Sequence, residues 1–151
     1  MTIDRARTPW HLWVVGVLSL LWNAFGANDY TQTQLGNRDY IASAMRPMGV
    51  SIDEALAYFN AFPAWMDTAW ALGVWGSVLG SILLLLRKSL AVLAFFVSLF
   101  GLFVTTLYDI GNPMPGVVNG AGSIALLVGL WVILVSLIVY SRTMVKRNHL
   151  R

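Results

Sequence analysis

The chain has 151 residues, 58% of them hydrophobic and 11% charged, whereas an ordinary soluble domain carries about 25% charged residues. That balance excludes a disordered chain, a nucleic-acid binder and a soluble globule, and leaves an integral membrane protein whose partner is the lipid bilayer. Cysteine is absent and the two histidines, His11 and His149, sit near the chain ends, so no disulfide, thiolate nucleophile, metal site or cofactor is expected.

The first predicted element is a membrane span over 10–27. Arg5 and Arg7 precede it, and Gly16, Ser19, Asn23 and Gly26 share one helical face. Ala24-Phe25-Gly26 would pass as a signal-peptide cleavage site, but Trp10, Trp13, Trp22 and Asn23 are foreign to such a segment, so the helix is expected to be retained. An outer segment, 28–63, follows. Gly36-Asn37 reads as a turn, and 38–45 as a short helix stopped by Pro47 and Gly49. Ser51-Ile52-Asp53-Glu54 has the form of a capping box. After it, Ile52, Ala55, Leu56, Phe59 and Phe62 fall on one face of an amphipathic helix. This helix is either a plain connector or a lid over an opening in the bundle.

The second span covers 64–86. Ala69, Gly73, Gly76 and Gly80 form a helix-packing stripe that includes Gly76-x-x-x-Gly80. Asp67 points about 150° away from that stripe. It therefore either snorkels at the interface or faces a second partner or a cavity, which gives this helix two faces that avoid lipid. The third span, 89–110, carries Ala91, Ala94, Ser98, Gly101, Thr105 and Asp109 on one side. The fourth, 119–140, carries Gly122, Ala125, Gly129, Ser136 and Tyr140. Each of the four is close to the roughly 20 apolar residues a crossing requires. The predicted architecture is an all-α, polytopic four-transmembrane-helix bundle, a single membrane domain over 1–151, with a short amphipathic helix in the outer loop.

Eight of the ten basic residues lie before the first span, between the second and third, or after the fourth; Arg38 and Arg46 are the other two. By the positive-inside rule both termini and the Arg87-Lys88 turn are expected in the cytoplasm, with 28–63 outside. A basic tail of this kind would also touch anionic lipid headgroups.

The outer ends of the helices collect polar and aromatic side chains. Asn23, Asp29 and Tyr30 come from the first, Asp67 and Trp70 from the second, Tyr108 and Asp109 from the third. An aromatic interface belt accounts for part of the set. An inward amide and carboxylate beside aromatic rings are also what a pocket for a small polar ligand needs, and these seven are the candidate ligand-binding residues. If the small-residue faces of the first and third helices meet, Asn23 and Asp109 would point into a shared space.

Trp10-His11-Leu12-Trp13, the run from Leu21 to Gln34 through Asn23-Ala24-Phe25-Gly26-Ala27-Asn28-Asp29-Tyr30, Pro63-Ala64-Trp65, Ala69-Trp70-Ala71 and Gly80-Ser81-Ile82-Leu83-Leu84-Leu85-Leu86-Arg87 together resemble a family of small four-span inner-membrane proteins of proteobacteria. The resemblance covers about residues 9 to 110. It implies a bacterial inner-membrane location, and some members are labelled sugar transporters. P-loop, Gly-x-Ser-x-Gly, His-Glu-x-x-His and Rossmann motifs are all missing, so an enzyme is not expected. Two functional readings follow. One is a permease or binding protein for a small polar solute such as a sugar, acting as a homodimer because four spans make a thin wall. The other is a non-enzymatic accessory subunit or assembly factor of a larger membrane complex.

Overall fold

In a computed structural model, which describes residues 8–117 and 121–151, the chain is all helix and turn. Four long apolar helices are α1 (Trp10–Gln34), α4 (Ala64–Leu85), α5 (Leu90–Gly111) and α6 (Ala121–Lys146). All four are long and apolar enough to cross a membrane, which makes this a multi-pass membrane protein. Between α1 and α4 lie two short helices, α2 (Arg38–Met45) and α3 (Ile52–Asn60).

The local signals explain the short elements. Asn37 caps α2 by accepting from the Tyr40 N–H, and Gly49 closes the following turn with φ of +74°, a conformation that favours glycine. Ser51 and Glu54 form the reciprocal capping box at the start of α3. The hydrogen bonds from Ser51 hold the Glu54 carboxyl below its ordinary range.

Two boundaries differ from the sequence expectation. α1 continues for seven residues past Ala27, to Gln34, and its end is closed by the Leu35 and Gly36 N–H groups. Polar residues at 28–34 do not stop a helix: none is Gly or Pro, and Thr31 bonds back to the Ala27 carbonyl. α6 likewise runs six residues beyond Tyr140, while its expected start at Asn119 lies outside the described residues.

The helices pack in the order α1, α4, α5, α6, with α4 between α1 and α5. The α4–α5 seam is the tightest. A Cβ on Gly73 would meet the backbone of Gly101 and Leu102, one on Gly76 would meet Ser98 and Ala94, and one on Gly80 would enter the Phe95 ring. A Cβ on Gly101 would overlap the Gly73 nitrogen and the Ala69 carbonyl. The Ser98 hydroxyl crosses the seam to donate to the Gly73 carbonyl at 2.5 Å. Lipid offers no hydrophobic gain to helix pairing, so this close backbone approach and its hydrogen bond hold the hairpin together.

The opposite face of α4 is covered by α1, where a Cβ on Gly16 would run into the Leu85 side chain. The two faces of α4 that avoid lipid are therefore both used within the chain. At the end carrying the termini, Leu12, Leu84, Phe95, Leu137, Met144 and Leu150 form one core. The His11 Nδ1 and the Tyr140 hydroxyl lie 2.6 Å apart across it. The last residues clasp the α4–α5 turn: the Ser89 N–H donates to the Arg151 carbonyl at 2.6 Å and the Arg151 N–H to the Arg87 carbonyl at 2.9 Å.

The small-residue stripe of α6 does not pack as expected. Gly122, Ala125 and Ser136 are exposed, and a Cβ on Gly122 or Gly129 would meet nothing within 4 Å. α6 instead buries Leu134, Leu137, Ile138, Ser141 and Met144, a face of larger side chains lower on the helix. Bulky apolar residues find a core at the termini end, where α1, α4 and α5 all present partners.

Gly101→Val should force α4 and α5 apart and cost about 1–3 kcal/mol, as overpacking does. Gly129→Ala should leave stability unchanged or slightly raised. Thermal unfolding of both variants in the same detergent checks the contrast.

Candidate functional site

The site expected from the sequence lies at the end of the bundle opposite the termini. α3 is laid across that end by its apolar face. Ala55 is fully buried, and Ile52, Leu56 and Phe59 pack with it around Ile41 and Val50, against Met114 and Val117 of the α5–α6 connection.

From there a chain of aromatic rings spans the helix ends. Tyr58, Phe59 and Phe62 contact one another edge to face. Phe59 stacks on Trp70 with ring planes 17° apart, and Tyr30 of α1 meets the same Trp70 at 4.9 Å between centroids. Phe62 and Trp65 both meet Tyr108 of α5. Such contacts add about 0.5–1.5 kcal/mol each beyond area burial. They tie α1, α3, α4 and α5 together at one level.

Three carboxylates, Asp29, Asp67 and Asp109, sit at the rim of this cluster, each with a neutral partner from the same chain. Asp29 accepts from the Tyr40 hydroxyl at 3.0 Å, and Asp67 accepts from the Gln34 amide at 3.3 Å. Asp109 accepts from the Tyr58 hydroxyl at 3.1 Å, which also lies 2.9 Å from the Asn112 carbonyl. Burial and then the Asp29 charge push the Tyr40 phenol up. Burial, reinforced by the charge and hydrogen bond of Asp109, pushes the Tyr58 phenol well above its ordinary 10.0. Both phenols thus stay protonated donors at neutral pH. The one ion pair among the described residues is Arg38–Asp53 at 2.8 Å, and it is solvent-exposed.

Six of the seven sequence candidates lie at this end. Tyr30 and Trp70 touch, and Tyr108 joins them through Phe62. Asn23 does not belong. Its amide donates to the Ser81 hydroxyl at 2.9 Å and to the Ser77 carbonyl at 3.3 Å, inside the α1–α4 seam. Because α1 extends to Gln34, Asn23 lies about 16 Å below the end of its helix at the helical rise. The expected shared space between Asn23 and Asp109 is therefore not formed: Asn23 faces α4, and Asp109 faces α3 at the far end. Asp67 faces α1 through Gln34, one of the alternatives its position left open.

Tyr58, Gln34 and Tyr40 were missed as members of the cluster. Tyr58 falls off the apolar face of α3, and only the docking angle of that helix brings its hydroxyl to Asp109. No group of three or more acidic or histidine side chains among the described residues is placed to hold a metal ion.

These features define a small polytopic membrane protein with one end closed by an aromatic and polar cluster. No family model matches the chain, and neither a curated protein nor a solved structure is detectably similar to it, so no family is identified.

Tyr58→Phe removes the one hydroxyl that links α3 to Asp109 and Asn112 and should weaken docking by about 1–2 kcal/mol. In wild type, docking should hold fully below pH 10, where the undocked phenol is still protonated, and weaken as the pH rises through 10 toward the raised value. The variant should lack that alkaline step. An environment-sensitive dye on Asn60→Cys, at the exposed end of α3 in this cysteine-free chain, reports both.

Proposed function

We propose that this chain is a non-enzymatic accessory subunit or assembly factor of a larger complex in a bacterial inner membrane. The observation that carries the reading is the unpartnered α6 face. Gly122, Ala125, Gly129 and Ser136 recur at helical spacing along a membrane span, yet among the described residues a Cβ on Gly122 or Gly129 would meet nothing within 4 Å, and Ala125 and Ser136 are exposed. Small residues in line are the surface that lets a second helix approach closely in lipid. Next to them Ile124, Leu126, Val128 and Val132 are all more than half exposed, so this half of α6 presents a continuous apolar surface to its surroundings. A span from another membrane protein fits that surface.

The interior supports the same reading. The amide deepest in the bundle is bonded to α4, and the carboxylates at the far end are bonded to phenols and an amide of the same chain. An apolar groove of about 510 Å³ between α4 and α5, lined by Leu72, Trp75, Gly76, Leu79 and Ala94, is suited to lipid or protein and not to a polar solute.

The solute-binding reading retains one observation, Asp109 at the rim of an aromatic cluster. It makes a different prediction: sugars, amines or cations should raise the melting temperature of wild type and not of Asp109→Asn. On the accessory reading the panel does nothing. A stoichiometric partner then co-purifies in mild detergent and is lost with Gly129→Leu at unchanged melting temperature. A self-contained dimer that Gly129→Leu dissociates, or a solute-dependent shift, would overturn the accessory role.

The charge distribution supports an orientation with both termini in the cytoplasm. One end of the bundle carries Arg87, Lys88, Arg142, Lys146, Arg147 and Arg151, while the other carries six acidic residues against Arg38 and Arg46. Single cysteines at Asp39 and Arg147 should react oppositely with an impermeant thiol reagent in intact cells, Asp39→Cys from outside and Arg147→Cys only after permeabilisation.

A further inference from the structure

At the termini end, α5 begins where α6 finishes, and a cleft of about 270 Å³ opens between them. Its lining is Ser89 just before α5, Val92 from the first turn of α5, and Arg142, Val145 and Lys146 from the last turns of α6. We propose that this cleft binds the phosphate of an anionic phospholipid, with Arg142 and Lys146 as the charged contacts.

Arg142 and Lys146 are four residues apart on α6 and so share one face. Two like charges at that spacing repel, and neither forms an ion pair among the described residues. A phosphate between them turns the repulsion into two charge-assisted contacts. Ser89 sits at the N-cap position of α5, and its side chain makes no capping bond, so its hydroxyl is placed to donate to an anion.

The geometry is held by backbone rather than by chance side-chain contact. The paired hydrogen bonds from Ser89 to Arg151 and from Arg151 to Arg87 fix the end of α6 against the start of α5. Leu150, 4% exposed, anchors the same clasp in the core.

The floor and surroundings distinguish a lipid from a free ion. Val92 and Val145 give the cleft apolar walls. One turn deeper, Phe96 continues the Val92 face, and Val139 and Val135 continue the Arg142 face; all three are exposed, Val139 by 59%. The cleft lies where both spans end, at headgroup level. A headgroup in the cleft would therefore lay its acyl chains along an apolar strip that is already open to the bilayer, and basic pockets between spans suit such lipids.

The test uses the purified full chain in nanodiscs or detergent with defined lipid. Native mass spectrometry should show phosphatidylglycerol or cardiolipin adducts on wild type, and added anionic lipid should raise its melting temperature above that in phosphatidylcholine. The double variant Arg142→Gln/Lys146→Gln should bind about 30-fold more weakly, the loss expected of two cations near a charged surface. A control pair, Lys88→Gln/Arg147→Gln, removes the same charge from the same end outside the cleft and should keep the adducts. The swap Arg142→Lys/Lys146→Arg should keep them too. Equal loss in both glutamine pairs would show diffuse attraction and overturn the site. Stabilisation by inorganic phosphate or glycerol phosphate equal to that by lipid would overturn the lipid assignment. Absence of adducts on wild type would overturn the proposal entirely.

Discussion

The close approach of α4 and α5 is the constraint on which the rest depends. Gly73 and Gly76 let two backbones come into direct contact, Gly101 answers from the other side, and the Ser98 hydroxyl closes on the Gly73 carbonyl. In hydrocarbon this contact is made by van der Waals packing and one hydrogen bond, with no expelled water to help. Once the hairpin is set, α4 has a fixed second face. α1 docks there through Gly16 and Asn23, and the turn between α4 and α5 becomes the anchor for the end of α6.

The far end is organised by different forces. There the helices are joined by rings, and Asp29, Asp67 and Asp109 find phenols and an amide instead of cations. The two ends therefore differ in character: an apolar core beneath a basic rim at one, an aromatic layer beneath an acidic rim at the other. The interior between these ends is packed with Leu, Phe, Ala and hydrogen-bonded Ser.

How much of this was legible depended on the range of the interaction. The short helices were readable because their causes are local: Asn37, Gly49, Ser51 and Glu54 act within four residues of themselves. The four spans were readable from apolar length. Depth was not, because it depends on where a helix stops. Seven further helical residues on α1 move Asn23 from the rim into the seam, and no composition rule marks Gln34 as the end. Nor does a small-residue stripe say whether its partner lies in the same chain. On α4 the partner is α5, whereas the glycines of the α6 stripe meet none among the described residues, and the two stripes look alike as text. Tyr58 could be found only through the docking of α3, a long-range event.

The amide at Asn23 has a consequence for the order in which the molecule is made. α1 is synthesised first, and its hydrogen-bonding partners Ser77 and Ser81 emerge more than fifty residues later. α4 and α5, by contrast, are separated by a four-residue turn and can close as soon as both exist. During that interval α1 stands in the bilayer with an unpaired amide near mid-helix, which is costly in hydrocarbon. The α1 amide thus meets its native partners only when α4, the first helix of the hairpin, has been made.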